Sequence, residues 1–162
     1  MDVHRLHLKP QSSKDFDKTA EFCIQNNIVG VGWGVNAPQE AITSFNDYEK
    51  YARQKYKRTQ AGYLYNRIAV GDLVWAKTDK EVFYLCRVES PWEYLSTEES
   101  RYVDIYNIVR VEMYEVPRAH AILEKVNPEF RNANAIQKIR DENIIKSTEA
   151  LWEELSREAK AS

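Results

Sequence analysis

Between Ile28 and Val35 the chain reads Ile-Val-Gly-Val-Gly-Trp-Gly-Val, placing three of its five glycines at alternate positions. Glycine weakens a strand unless a bulge or a close backbone approach needs the missing side chain. The run therefore predicts a short strand ending in a tight bend, with Trp33 as its one large group and with space beside the indole. Two readings fit: a tryptophan packed under a glycine bulge, or an aromatic surface that something flat comes to lie against.

At 162 residues the chain fits one domain and is long enough to bury a core without staples. Cys23 and Cys86 lie in apolar runs without metal-ligand spacing, and no secretory pattern precedes them. This predicts two core thiols in a reduced, cytoplasmic protein. The apolar runs fall far short of the roughly 20 residues that span a bilayer. The net charge of −2 hides an uneven distribution. Lys50, Arg53, Lys55, Lys57, Arg58 and Arg67 fall in a stretch with no acidic residue, interleaved with Tyr51, Tyr56, Tyr63 and Tyr65, with Tyr48 just ahead of it. From Asp141 to Lys160 six acids stand against three bases.

In chain order, His4 to Lys9 alternates as a strand and stops at Pro10. Ser12 or Ser13 then caps a helix carrying Phe16, Ala20, Cys23 and Ile24 on one face. Pro38, Gln39 and Glu40 predict the start of a second helix, and Ala41, Phe45, Tyr48, Ala52 and Tyr56 its apolar face. A short helix is expected over 63–70. Leu73 to Lys77 and Val82 to Glu89 read as a hairpin, followed by Pro91 and Trp92 in a loop. Arg101 to Val116 reads as one long or two short strands, and the chain from Asn134 on reads as helical. The expected class is α+β, with a small, curled, mostly antiparallel sheet flanked by helices. The expected division is a domain over 1–126 and a helical extension over 127–162 packed on it.

Catalytic signatures are missing: no phosphate-binding Gly-rich loop, no Gly-x-Ser-x-Gly, no His-Glu-x-x-His, no Cys-x-x-Cys. Of the three histidines, His4 and His7 fall on opposite faces of their strand, and these two and His120 read as structural or solvated. Asp72 and Asp104 are lone carboxylates. The expectation is a non-enzyme without metal or cofactor. What recurs is tryptophan near bends: Trp33, Trp92, and Trp75 on the strand between, whereas Trp152 has core spacing. Two facing indoles make a slot for a planar base, where stacking contributes on the order of 1–3 kcal/mol. That offsets the few kcal/mol needed to extrude a base from a duplex. The basic stretch would hold phosphates.

Gly-Val-Gly-Trp-Gly at 30–34, Val-Gly-Asp-Leu-Val-Trp at 70–75, Phe-Tyr-Leu-Cys-Arg-Val at 83–88 with Trp92 after it, and Val-Asp-Ile-Tyr-Asn-Ile-Val-Arg-Val at 103–111 together resemble the PUA-like superfamily, and within it the EVE and YTH-like modified-base readers. The resemblance covers about residues 3–116. It implies a curled barrel and a reader of a modified, flipped base in DNA or RNA, in the manner of modification-dependent restriction or defence systems, with an effector protein as further partner. Trp33 and Trp92 take the cage positions by this resemblance. Trp75 is a candidate third wall, Asn36 and Asp104 are candidate contacts to the base edge, and Lys50, Arg53, Lys55, Lys57, Arg58 and Arg67 are candidate phosphate ligands. The alternatives are a protein-binding accessory of a defence or phage system and an RNA-processing enzyme on the same scaffold.

Overall fold

A computed structural model of the protein describes residues 1–9, 15–132 and 134–162. In order, its elements are β1 (Val3–Leu8), α1 (Phe16–Gln25), β2 (Ile28–Val31), α2 (Phe45–Lys55), α3 (Ala61–Asn66), β3 (Leu73–Thr78), β4 (Phe83–Val88), β5 (Glu93–Tyr94), α4 (Glu98–Val103), β6 (Asn107–Val116), α5 (Leu123–Val126), β7 (Ile136–Ile139) and α6 (Glu142–Ala161).

The strands form one mixed sheet in the order β2-β6-β4-β3-β1-β7, with β5 added beside β6. Strand β6 serves two partners. Its first half pairs with β2 (Val31 opposite Asn107) and its second half with β4 (Val88 opposite Val111), so the sheet turns sharply where β6 changes partner. All pairings are antiparallel except β1 with β3, where His4 lies opposite Val74. The result is an α+β fold built on a strongly curled, half-barrel sheet flanked by helices, in which β2 comes round to pack against β1.

Strand alternation sorts side chains into two cores. Val74 and Ala76 of β3 join Leu6, Leu8, Cys23, Cys86 and Ile108 inside the curl. Leu73 and Trp75 point to the other face, where Val3, Leu85, Leu123, Leu151 and Trp152 meet under α5 and α6. Each such fully buried aliphatic side chain stabilises the fold by about 1.5–3 kcal/mol. A smaller cluster of Val35, Ile42, Phe45, Tyr48, Ala52, Ala61 and Tyr94 lies under α2. Cys23 and Cys86 are buried thiols, as expected. Burial pushes the Cys23 thiol up to about 12 and raises that of Cys86 as well, so neither is a ready nucleophile. Among the described residues no helix is long and apolar enough to cross a membrane.

Several boundaries differ from the sequence reading, each for a local reason. The expected cap for α1 falls on Ser12 and Ser13, outside the described residues, and the observed cap is Asp15, which accepts from the backbone of Asp17 and Lys18. Pro38 opens only a single 3-10 turn over Gln39–Ala41. The long helix begins at Phe45, because Ser44 caps the amide of Asp47 and Asp47 holds Thr43 in return. The first part of the expected 101–116 strand is the end of α4, fixed by a capping box between Thr97 and Ser100. The segment 136–139, read as helix, is β7, which pairs with β1 at the sheet edge. The C-terminal region therefore contributes a strand as well as a helix.

Candidate functional site

The glycine-rich bend is tightly constrained. Trp33 adopts φ +57°, the left-handed region, which costs an ordinary L-residue about 1–2 kcal/mol. Such strain persists only where the surroundings hold it in place, and here they hold each carbonyl in turn. Asn107 donates its amide to the Gly32 carbonyl (2.7 Å) and Tyr48 its hydroxyl to the Trp33 carbonyl (2.7 Å). Tyr56 (2.6 Å) and Lys55 (3.3 Å) both donate to the Gly34 carbonyl. The Val35 amide donates to the Tyr94 hydroxyl. The glycines have a steric reason: a Cβ on Gly30 would stand 2.4 Å from the Asn107 carbonyl, and one on Gly34 2.4 Å from the Tyr106 ring. They let β6 and Tyr106 approach.

Asn107 also accepts the indole N–H of Trp92 (2.9 Å). One buried side chain thus ties the Trp33 bend and Trp92 to the same end of the sheet. Both tryptophans are half-buried. The Trp92 ring meets Phe45 (5.1 Å) and Tyr65 (6.1 Å) edge to face and Tyr48 at 6.0 Å. Tyr65 stacks on Phe45 at 4.4 Å while remaining 53% exposed, leaving a broad ring face open to solvent.

Three clefts lie around α2 and α3 beside this end, and neither Trp33 nor Trp92 is among the residues that line them. The first, of about 480 Å³, lies between α2 and the bend and is lined by Gly34, Asn36, Tyr51, Gln54, Lys55 and Tyr106. The second, of about 300 Å³, is lined by Phe45, Tyr48, Arg53, Tyr56, Lys57 and Arg58 among others. It shares Thr59, Gly62 and Asn66 with the third, of about 460 Å³, where Tyr63 and Arg67 face Gln137, Lys138 and Arg140 of the β7 segment. The basic stretch is therefore divided among three clefts, of which the second and third are continuous and the first shares no lining residue with them. Lys55 and Asn36 share one cleft, Arg53, Lys57 and Arg58 another, and Arg67 the third. Arg53 pairs with Glu49 (3.3 Å) in an exposed contact, and Lys50 is exposed on α2 outside these clefts. Lys138 and Arg140 have no signal in the sequence, because only the pairing of β7 with β1 brings them beside α3.

Trp75 does not belong to this end. It is wholly buried on the opposite face of the sheet, with its indole N–H on the Thr148 hydroxyl (3.0 Å). Strand parity decides this, since Val74 and Ala76 take the inner face. Asp104 is the left-handed C-cap of α4 (φ 59°), a conformation that aspartate tolerates. It does not line the first cleft but lies near Tyr106, which does and whose hydroxyl is raised in pKa by burial and then by Asp104.

A buried chain of ionisable groups runs from the third cleft into the core. Tyr63 bonds His4 Nδ1 (2.8 Å), and His4 Nε2 bonds Asp72 (2.9 Å). Asp72 also accepts the backbone amides of Asp2 and Ala69, both at 3.0 Å. Burial alone would raise the Asp72 carboxyl, but these donors outweigh it and the net shift is down. Burial lowers His4 despite Asp72, and the phenol of Tyr63 is pushed up to about 12, chiefly by burial. His4 is therefore neutral, Asp72 is charged, and His4 is a satisfied core histidine. Asp2, His4 and Asp72 lie close enough to suggest a cation site. Both ring nitrogens of His4 and both oxygens of Asp72 are already engaged, so the set does not fit one.

No curated protein matches the chain. Residues 8–111, which hold the Trp33 bend, α2, Trp92 and Asn107, match the family described as Domain of unknown function (DUF8426), and the protein belongs to that family.

Proposed function

We propose that the protein is a non-catalytic nucleic-acid-binding domain that reads a modified, flipped base at the Trp33–Trp92 end of its sheet. The observation that carries this reading is the bend itself: a strained tryptophan whose flanking carbonyls are clamped by Asn107, Tyr48, Tyr56 and Lys55, followed at once by Gly34, Val35 and Asn36, which line a cleft with Lys55. Strain of this kind clusters at ligand clamps. Trp33 and Trp92 frame the base, Tyr51 and Tyr106 offer ring surface beside it, and Asn36 meets the base edge. Asp104 acts at one remove, through Tyr106. Phosphates fall on Arg53, Lys55, Lys57, Arg58 and Arg67, with Lys50 on the rim.

The curled sheet flanked by helices suits the PUA-like, EVE/YTH-like resemblance of the sequence, and a modification-dependent restriction or defence module with an effector partner is the setting that resemblance implies. Burying one methyl group contributes about 0.8 kcal/mol, roughly fourfold in affinity. Strong discrimination therefore also needs the polar edge contact. The test is titration of plain, methylated and hydroxymethylated oligonucleotides followed by tryptophan fluorescence at two salt concentrations. One modified base should quench specifically, and Trp33→Ala and Trp92→Ala should abolish the response. Binding unchanged in both variants would reject the reading.

A further inference from the structure

The third cleft combines cations with a fixed hydrogen-bond polarity. Asp72 is a carboxylate and can only accept, so His4, being neutral, must place its single N–H on Nε2 to donate to it. His4 Nδ1 is then an acceptor, and the Tyr63 hydroxyl must spend its hydrogen on it. The phenolic oxygen is left with lone pairs only. Tyr63 lines a cleft whose charged groups are all cations: Arg67, which lies over the Tyr63 ring at 5.4 Å, Lys138 and Arg140. A phosphate would satisfy the cations but not Tyr63, which calls for a donor beside the phosphate. Lys138 is shared with Asp2 at 3.4 Å in a partly exposed pair, so Arg67 and Arg140 are the principal anion ligands.

We propose that the cleft between α3 and β7 takes a phosphorylated ribose of the bound strand, with the phosphate on Arg67, Arg140 and Lys138 and the 2′-hydroxyl donating to Tyr63. The inference rests on the nucleic-acid reading and deepens it by naming RNA, since the 2′-hydroxyl is the donor by which a protein separates RNA from DNA. The third cleft adjoins the second through Thr59, Gly62 and Asn66. A strand whose phosphates lie on Arg53, Lys57 and Arg58 of the second cleft would thus pass directly into the third.

The test compares RNA, DNA and 2′-O-methyl RNA oligonucleotides of one sequence, each carrying the modified base that gives the strongest tryptophan quenching. Wild type should favour RNA over both others by about fivefold, the contribution of one hydrogen bond. Tyr63→Phe should lower RNA affinity by about fivefold relative to DNA and so bring the three to equal affinity. As a second variant, K138Q/R140Q, with Tyr63 intact, should weaken all three polymers alike and lower the salt slope by about 0.7 for each phosphate that is no longer neutralised. Equal affinity of wild type for RNA and DNA, or a preference that survives Tyr63→Phe, overturns the ribose site and leaves the base-reading proposal standing. Failure to bind any of the three overturns both.

Discussion

Asn107 accepts the indole hydrogen of Trp92 at 2.9 Å while its amide donates to the Gly32 carbonyl at 2.7 Å, so one buried residue on β6 sets the spacing of two loops about 60 residues apart. Asn107→Ala leaves a part-buried indole N–H and a buried carbonyl without their partner. We expect a loss of about 1–3 kcal/mol in denaturant unfolding, and a shift in Trp92 emission that persists in the folded protein.

The left-handed Trp33 makes a sharper prediction. Glycine ordinarily destabilises a strand or helix relative to alanine, but at φ +57° the order inverts. Trp33→Gly should be more stable than Trp33→Ala by about 1 kcal/mol, and both should lose oligonucleotide binding. Paired unfolding curves measure the difference.

Trp75 separates stability from binding. Thr148→Val removes the hydroxyl that accepts the Trp75 N–H beneath α6. It should cost about 1–3 kcal/mol and leave affinity for any oligonucleotide unchanged, as read by unfolding and titration of the same sample.

Burial lowers both His4 and His7, the latter to about 4. A histidine held neutral in the fold contributes stability that is complete above its unfolded pKa, near 6.5, and is lost as pH falls toward the folded value. The unfolding midpoint should therefore fall between pH 6.5 and 4, and His7→Gln should flatten that dependence. Asp72, also lowered, adds a further loss below about pH 4.

What is legible in the sequence is local. The hairpin of β3 and β4 is written in alternation and a polar turn, and the basic stretch along α2 is contiguous. The glycine bend signals a close approach without saying to what, because Tyr106 and Asn107, at the start of β6, lie more than 70 residues away. Ile136 and Ile139 stand three apart, a helical spacing, yet four residues are too few for periodicity to decide, and the open edge of β1 claims them as a strand. Trp75 reads as a third wall because its neighbours in sequence are the right ones, whereas its parity on β3 sends it to the opposite core. The Tyr63–His4–Asp72 chain and the cations of β7 are products of strand pairing alone.

The most direct measurement follows the four indole N–H resonances during titration with an oligonucleotide carrying one modified base. Trp92 and Trp33, at the bend, should shift and saturate together, while Trp75, bonded to Thr148, and Trp152, beneath the opposite face, stay in place. Saturated binding that moves Trp75 or Trp152 and leaves Trp33 and Trp92 unmoved would contradict a base site at the glycine bend.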